Sequence, residues 1–245
     1  MNRLRSIALL AALTWAVTLH AGPPYVSDDP EPTDNGHYET YLFTQGADAR
    51  TGASGASGID FNYGASDDLQ LTAVIPVEYE HPEHAHGVSG IGNTELAAKF
   101  RFVHNVDAGG WDAAVFPRLF LPSASRRVGD RHFSLLLPLW VEHDWDEWST
   151  FGGGGCVLNP GRESRNFCLA GWAVTHQITP ALQLGAEIAH QGADTRDGRA
   201  FTRLGAGLRY DVSENYHLLL SAGPGLEHAS DTGNYSWYAA LLLTY

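Results

Sequence analysis

The sequence predicts an all-β fold, a transmembrane antiparallel up-and-down β-barrel of about twelve strands, and three observations carry that expectation. The chain ends on Ser236-Trp237-Tyr238-Ala239-Ala240-Leu241-Leu242-Leu243-Thr244-Tyr245, where every odd position is apolar and the last residue is aromatic. An exposed strand edge of that kind invites aggregation, and closure into a membrane barrel removes it. Period-two segments fill the chain upstream. The connections between them alternate short and long, which places tight turns on one rim and longer loops on the other, the asymmetry of bacterial outer-membrane barrels.

Residues 1–21 carry Arg3 and Arg5, an apolar stretch from Ile7 to Val17 and a small-residue end at Ala21. That is the order of a secretory signal peptide, and its apolar run is too short to span a bilayer as a helix. Residues 22–36 are rich in proline and cannot form regular strand. Two roles stand for them: a periplasmic lead-in, or a lumen plug that pairs Asp28, Asp29 or Glu31 with inward arginines. Residues 37–245 supply the barrel.

Strand segments lie near 37–46, 55–65, 69–79, 93–105, 111–122, 132–144, 148–158, 167–178, 181–191, 200–212, 216–226 and 235–245. Each approaches the roughly 9–11 residues that a tilted strand needs to cross a membrane. The short connections contain Ser66-Asp67-Asp68, Asp107-Ala108-Gly109-Gly110, Asp146-Glu147, Thr179-Pro180 and Ser213-Glu214-Asn215. The long ones run over 46–54, 80–92, 123–131, 159–166, 192–199 and 227–234. Alternation assigns Leu71, Ile75, Leu96, Phe100, Leu137 and Leu139 to the lipid side, while the first and seventh segments alternate too poorly to assign. Aromatic residues near segment ends, among them Trp111, Trp145, Trp148 and Tyr245, suit interfacial girdles.

The same parity points Asp60, Glu78, Glu95, Lys99, Arg101, Asp112, Arg118, Glu142, Glu187, Arg203, Arg209 and Asp211 into the lumen. Charges there either pair across strands and brace the interior, or line a polar path for a solute. A barrel of about twelve strands lies between those that side chains fill and those that hold a wide water channel, so any pore is narrow.

The net charge of −13 argues against nucleic acid as a partner, and charged residues at 18% fall below the roughly 25% of soluble domains. Cys156 and Cys168 flank Asn159-Pro160-Gly161, which allows a bridge across one hairpin or two separate thiols. The loop holding His81, His84 and His86 lacks a metal-ligand register, and the run Gly152 to Gly155 lacks the Lys and helix of a phosphate loop. His190 stands on an apolar face with Thr202 and no serine beside it. No metal, cofactor or enzymatic activity is therefore expected. The expected partners are outer-membrane lipid, the outer-membrane assembly machinery acting on the C-terminal strand, and a small solute.

Gly22-Pro23-Pro24, Asp28-Asp29-Pro30-Glu31-Pro32 and Gly36-His37-Tyr38-Glu39 resemble the start of the MetA-like outer-membrane porins, a family named after the meta-pathway of phenol degradation. Asn62-Tyr63-Gly64, Gly92-Asn93-Thr94-Glu95-Leu96, Lys99-Phe100-Arg101-Phe102, Leu137-Pro138-Leu139-Trp140, Gly152 to Gly155, Asn159-Pro160-Gly161 and Ala170-Gly171-Trp172 continue the resemblance. It implies a porin or transporter of the bacterial outer membrane for small solutes, with aromatic or apolar compounds as candidates. The alternative is a non-conducting structural or adhesion barrel.

Overall fold

The computed structural model describes residues 24–105, 109–128 and 132–245. The expected leader and parts of two expected connections, at 106–108 and 129–131, lie outside the described residues.

Fourteen strand segments form one closed antiparallel sheet. They are β1 (Tyr38–Ala49), β2 (Gly52–Ser66), β3 (Leu69–Pro82), β4 (Val88–Ile91), β5 (Glu95–Val103), β6 (Asp112–Val115), β7 (Arg118–Phe120), β8 (Ser134–Trp145), β9 (Trp148–Leu158), β10 (Phe167–Thr179), β11 (Leu182–Gln191), β12 (Phe201–Ser213), β13 (Tyr216–Glu227) and β14 (Tyr235–Thr244). β4 and β5 follow one another along β3, and β6 and β7 along β5 and β8, so each pair makes one stave and the barrel has twelve. The second break falls at Phe116-Pro117, where proline has no N–H to give the ladder. β14 closes the barrel against β1, from Glu39↔Thr244 to Asp48↔Tyr235, and no free edge remains between them.

The long loop expected over 46–54 is strand instead. β1 and β2 continue as a hairpin that turns at Arg50 and Thr51. Gly46, Ala53, Ser54, Gly55 and Ala56 carry almost no apolar alternation, yet a ladder needs only backbone N–H and C=O groups, so pairing outlasts the sequence signal. The connection expected over 80–92 shortens for the same reason to the residues between Pro82 and Val88. The last long loop holds a single helical turn, α1 (Ala229–Thr232).

Outward positions carry Leu42, Ile59, Leu71, Ile75, Leu96, Phe100, Leu137, Leu139 and Ile188, all exposed. A soluble barrel would bury that set, and a membrane barrel turns it to lipid. β1 directs Tyr41 inward and Leu42 outward, and β9 directs Ser149, Phe151 and Val157 inward, which settles the two faces left open by the sequence. Cys156 and Cys168 are cross-strand partners on β9 and β10, joined by a disulfide, and both lie on the outer surface near the long-loop rim.

Candidate functional site: a plugged lumen

Residues 24–36 turn into the barrel. A segment holding Pro24, Pro30 and Pro32 cannot join a ladder, so its polar groups find side chains of the wall instead. The N–H groups of Val26 and Ser27 donate to the Glu187 carboxylate at 3.1 and 2.6 Å. Thr33 N–H donates to Gln70 Oε1 at 2.8 Å, and Ser221 Oγ donates to the Pro24 carbonyl at 2.6 Å. Lys99 Nζ reaches Asp28 at 3.0 Å, Asp29 at 3.4 Å and the Glu31 carbonyl at 3.1 Å. Lys99 is thus the hydrogen-bonded cation of Asp28 and Asp29, and the Arg118 guanidinium stands within electrostatic reach of Asp28. A compact ammonium can serve three oxygens around one turn, whereas a guanidinium fork is matched to a single carboxylate. Burial pushes the Asp29 carboxyl up to about 7, against the opposing pull of Lys99.

Glycines on the inner face make the seat. A Cβ at Gly207 would stand 2.9 Å from the Tyr25 ring, one at Gly185 would overlap the Tyr25 hydroxyl, and one at Gly171 would come within 2.5 Å of Ser27 Oγ. No sequence expectation singled out these glycines or Tyr25. Their signal is small residues at inward parity on three neighbouring strands, β10, β11 and β12.

Most of the charges expected in the lumen meet a partner. Arg118 and Glu95 form a bidentate pair at 2.6 and 2.9 Å, and the Phe116 ring lies between Arg118 and Lys99, with the two cations 5.4 and 5.2 Å from its centroid. Near the short-turn rim Arg101 meets Asp68 at 3.3 Å and Asp112 at 3.5 Å, while Arg209 meets Asp211 at 2.9 Å with His217 on the same oxygen. Glu142 accepts from Ser149 at 2.8 Å. Asp60 accepts from Asn62, which in turn accepts from Gln70 at 2.8 Å. These contacts brace the interior. Glu78 and Arg203 stand, with Asp60, Glu95, Arg118 and Arg209, on the wall of an open space beside the plug.

That space is a cavity of about 680 Å³. Its floor is the plug from Pro24 to Thr33, and its lining reaches Asn159 and Asp194 in the long loops. Phe120, Leu136, Val157, Phe167 and Leu169, on the successive segments β7 to β10, make one apolar sector. Asp60, Glu78, Glu95 with Arg118, and Arg203 flank it, and carboxylates outnumber cations over the whole lining. The apolar sector was also unread in the sequence, although Phe167 and Leu169 at inward parity on a strand with an apolar outer face are its trace.

A family of sequences described as "Putative MetA-pathway of phenol degradation" matches residues 79–241. No curated protein matches the sequence. Among solved structures, an outer membrane channel from Pseudomonas putida F1 is similar at 15% identity with a TM-score of 0.73, over 89% of this chain and 98% of that one. The KdgM porin, solved in complex with disordered oligogalacturonate, is similar at 10% identity and TM-score 0.54, over 85% of this chain and 98% of its own. The NanC porin is similar at 7% identity and TM-score 0.54, over 85% and 99%. At such identities the likeness is one of fold, a closed outer-membrane β-barrel.

Proposed function

We infer the function from one premise, that the chain belongs to this MetA-pathway family. We propose that it is an outer-membrane channel that admits small solutes from the long-loop side into the cavity and releases them to the periplasm when the segment 24–36 moves. The observation that carries this reading is a cavity of about 680 Å³ lined in part by residues 24–33, which the wall holds mainly through side-chain contacts. Small-molecule sites commonly measure roughly 300–1,000 Å³ and join an apolar wall to a few polar groups. The sector from Phe120 to Leu169 suits a solute with an aromatic or apolar body, and the flanking polar groups suit a hydroxyl or amine on it. The excess of carboxylates disfavours anions. Neutral and cationic amphipathic solutes are thus the favoured class.

A structural barrel without transport has no use for an open cavity above a floor held by hydrogen bonds and ion pairs. A catalytic role has little support on the outer face either. Thr202 Oγ1 donates to Glu227 at 2.9 Å and lies 2.9 Å from His190 Nδ1, so the threonine stands between the imidazole and the acid. Nucleophilic catalysis needs the imidazole in the middle.

The test is a planar bilayer under a salt gradient. The wild-type channel should show a cation-selective reversal potential and low conductance, and removal of residues 24–36 from the mature chain should raise the conductance severalfold. Anion selectivity, or a barrel that stays sealed without the segment, would overturn the proposal.

A further inference from the structure

The outer surface at the short-turn rim carries an unbroken run of tryptophan and histidine rings. Trp111 stacks on His143 with centroids 5.1 Å apart, His143 on Trp145 at 5.6 Å, Trp145 on Trp148 at 6.4 Å, and Trp148 on His176 at 4.2 Å. Trp172 approaches Trp111 at 6.3 Å and donates its indole N–H to Thr150 at 2.7 Å. The register explains the continuity. Trp145 faces Trp148 across β8 and β9, and Trp148 faces His176 across β9 and β10, so one ring from each strand falls at one level of the wall. The four indoles are exposed.

We propose that this array is a headgroup site for a lipid that carries a primary ammonium, phosphatidylethanolamine of the periplasmic leaflet. Three features select that group. His143 Nδ1 lies 2.6 Å from the Gly110 carbonyl and His176 Nδ1 lies 3.0 Å from the Glu147 carbonyl. A carbonyl only accepts, so each Nδ1 carries a proton, and in the one-proton form of the ring Nε2 is left as the acceptor. The indole faces attract a cation by their quadrupoles. Asp146 and Glu147, exposed at the turn between Trp145 and Trp148, add negative charge beside the array. Acceptors, π faces and carboxylates together call for a cation that has N–H bonds to give. Ethanolamine meets all three demands, choline has the charge without the N–H, and a phosphoglycerol headgroup brings an anion.

The same rim holds a second aromatic group, whose stack contains no histidine or indole. Tyr38 stacks on Tyr63 at 4.9 Å and on Tyr245 at 5.6 Å, with Phe61 at 5.5 Å and no histidine among them. A general interfacial girdle would treat the two groups alike. Only the assignment to the periplasmic leaflet rests on the channel reading and its orientation; headgroup preference is independent of conductance.

The experiment is native mass spectrometry of the folded full-length mature barrel in detergent with equimolar phosphatidylethanolamine, phosphatidylcholine and phosphatidylglycerol of matched chains. One phosphatidylethanolamine should be retained, about tenfold over phosphatidylglycerol and severalfold over phosphatidylcholine. His176→Phe keeps the ring stack but removes the acceptor, and should erase the preference for ethanolamine over choline. Trp148→Leu should lower retention of both, while Tyr38→Leu should change neither. Equal retention of the three lipids by the wild type, an unchanged preference in His176→Phe, or a loss in Tyr38→Leu as large as in Trp148→Leu would each overturn the proposal.

Discussion

The two halves of the lumen are walled by the same staves and end differently. Toward the short turns, Asp29, Asp112, Glu142, Ser149 and Thr175 are buried together with Trp140, Phe151, Leu219 and Leu242. The cavity borders Asp29, Trp140, Leu219 and Leu242 and extends from there to Asn159 and Asp194 in the long loops. Side chains of the staves supply most of the filling on the short-turn side, and a short segment outside the sheet adds to it, docked on Glu187, Lys99 and Gln70 of the wall. In the proposed channel, openness is set by how well that peptide docks, a balance of a few contacts that single substitutions can tip.

The largest change is expected from Lys99→Met, which leaves Asp28 and Asp29 without their hydrogen-bonded cation. Breaking a buried ion pair from one side costs about 3–5 kcal/mol. Single-channel conductance should rise toward that of the barrel lacking residues 24–36, and a conductance that stays at the wild-type level would show that the lower half is filled without the latch. Gly207→Val comes next, since its side chain enters the space of the Tyr25 ring at a cost of about 1–3 kcal/mol. Gly205→Ala is its control, because nothing lies within 4 Å of a Cβ there. The pair sharpens the contrast: the first should open the floor partly and the second should leave conductance unchanged.

The smallest effect is one of pH. The Asp29 carboxyl titrates at about 7 in the docked plug against an ordinary 3.8, so protonation favours docking. That contribution is fully present below about pH 4 and is lost as pH rises through 7. Between pH 6 and pH 8 the change is about 1.4 kcal/mol for one proton, and conductance should climb over that interval. Asp29→Asn should flatten the profile.

Much of the sheet was legible because lipid-facing alternation is written into most of the crossing strands, the first and seventh excepted. Leu71, Ile75, Leu96 and Leu137 fall outside as their parity requires, and Tyr245 belongs to the strand that closes on β1. The extension of β1 and β2 was not legible, because glycine, serine and alanine pair without leaving a hydropathic trace. The partner of the plug was hidden for another reason. Parity gives the direction of Lys99, Arg101 and Arg118, whereas the choice among them depends on height in the barrel and on which carboxylate each has already met. The two cysteines show the same limit, since flanking a turn permits a bridge and only the register Cys168↔Cys156 sets them face to face.

The plug is continuous with β1, the stave against which β14 closes the cylinder. It is a stopper on a leash. Residues 24–36 would span roughly 45 Å if drawn straight, and the apolar band of such a barrel is about 25 Å tall. The length of the leash thus meets what the proposed channel requires, that the stopper leave the bore on the side of the short turns and still be held at the seam.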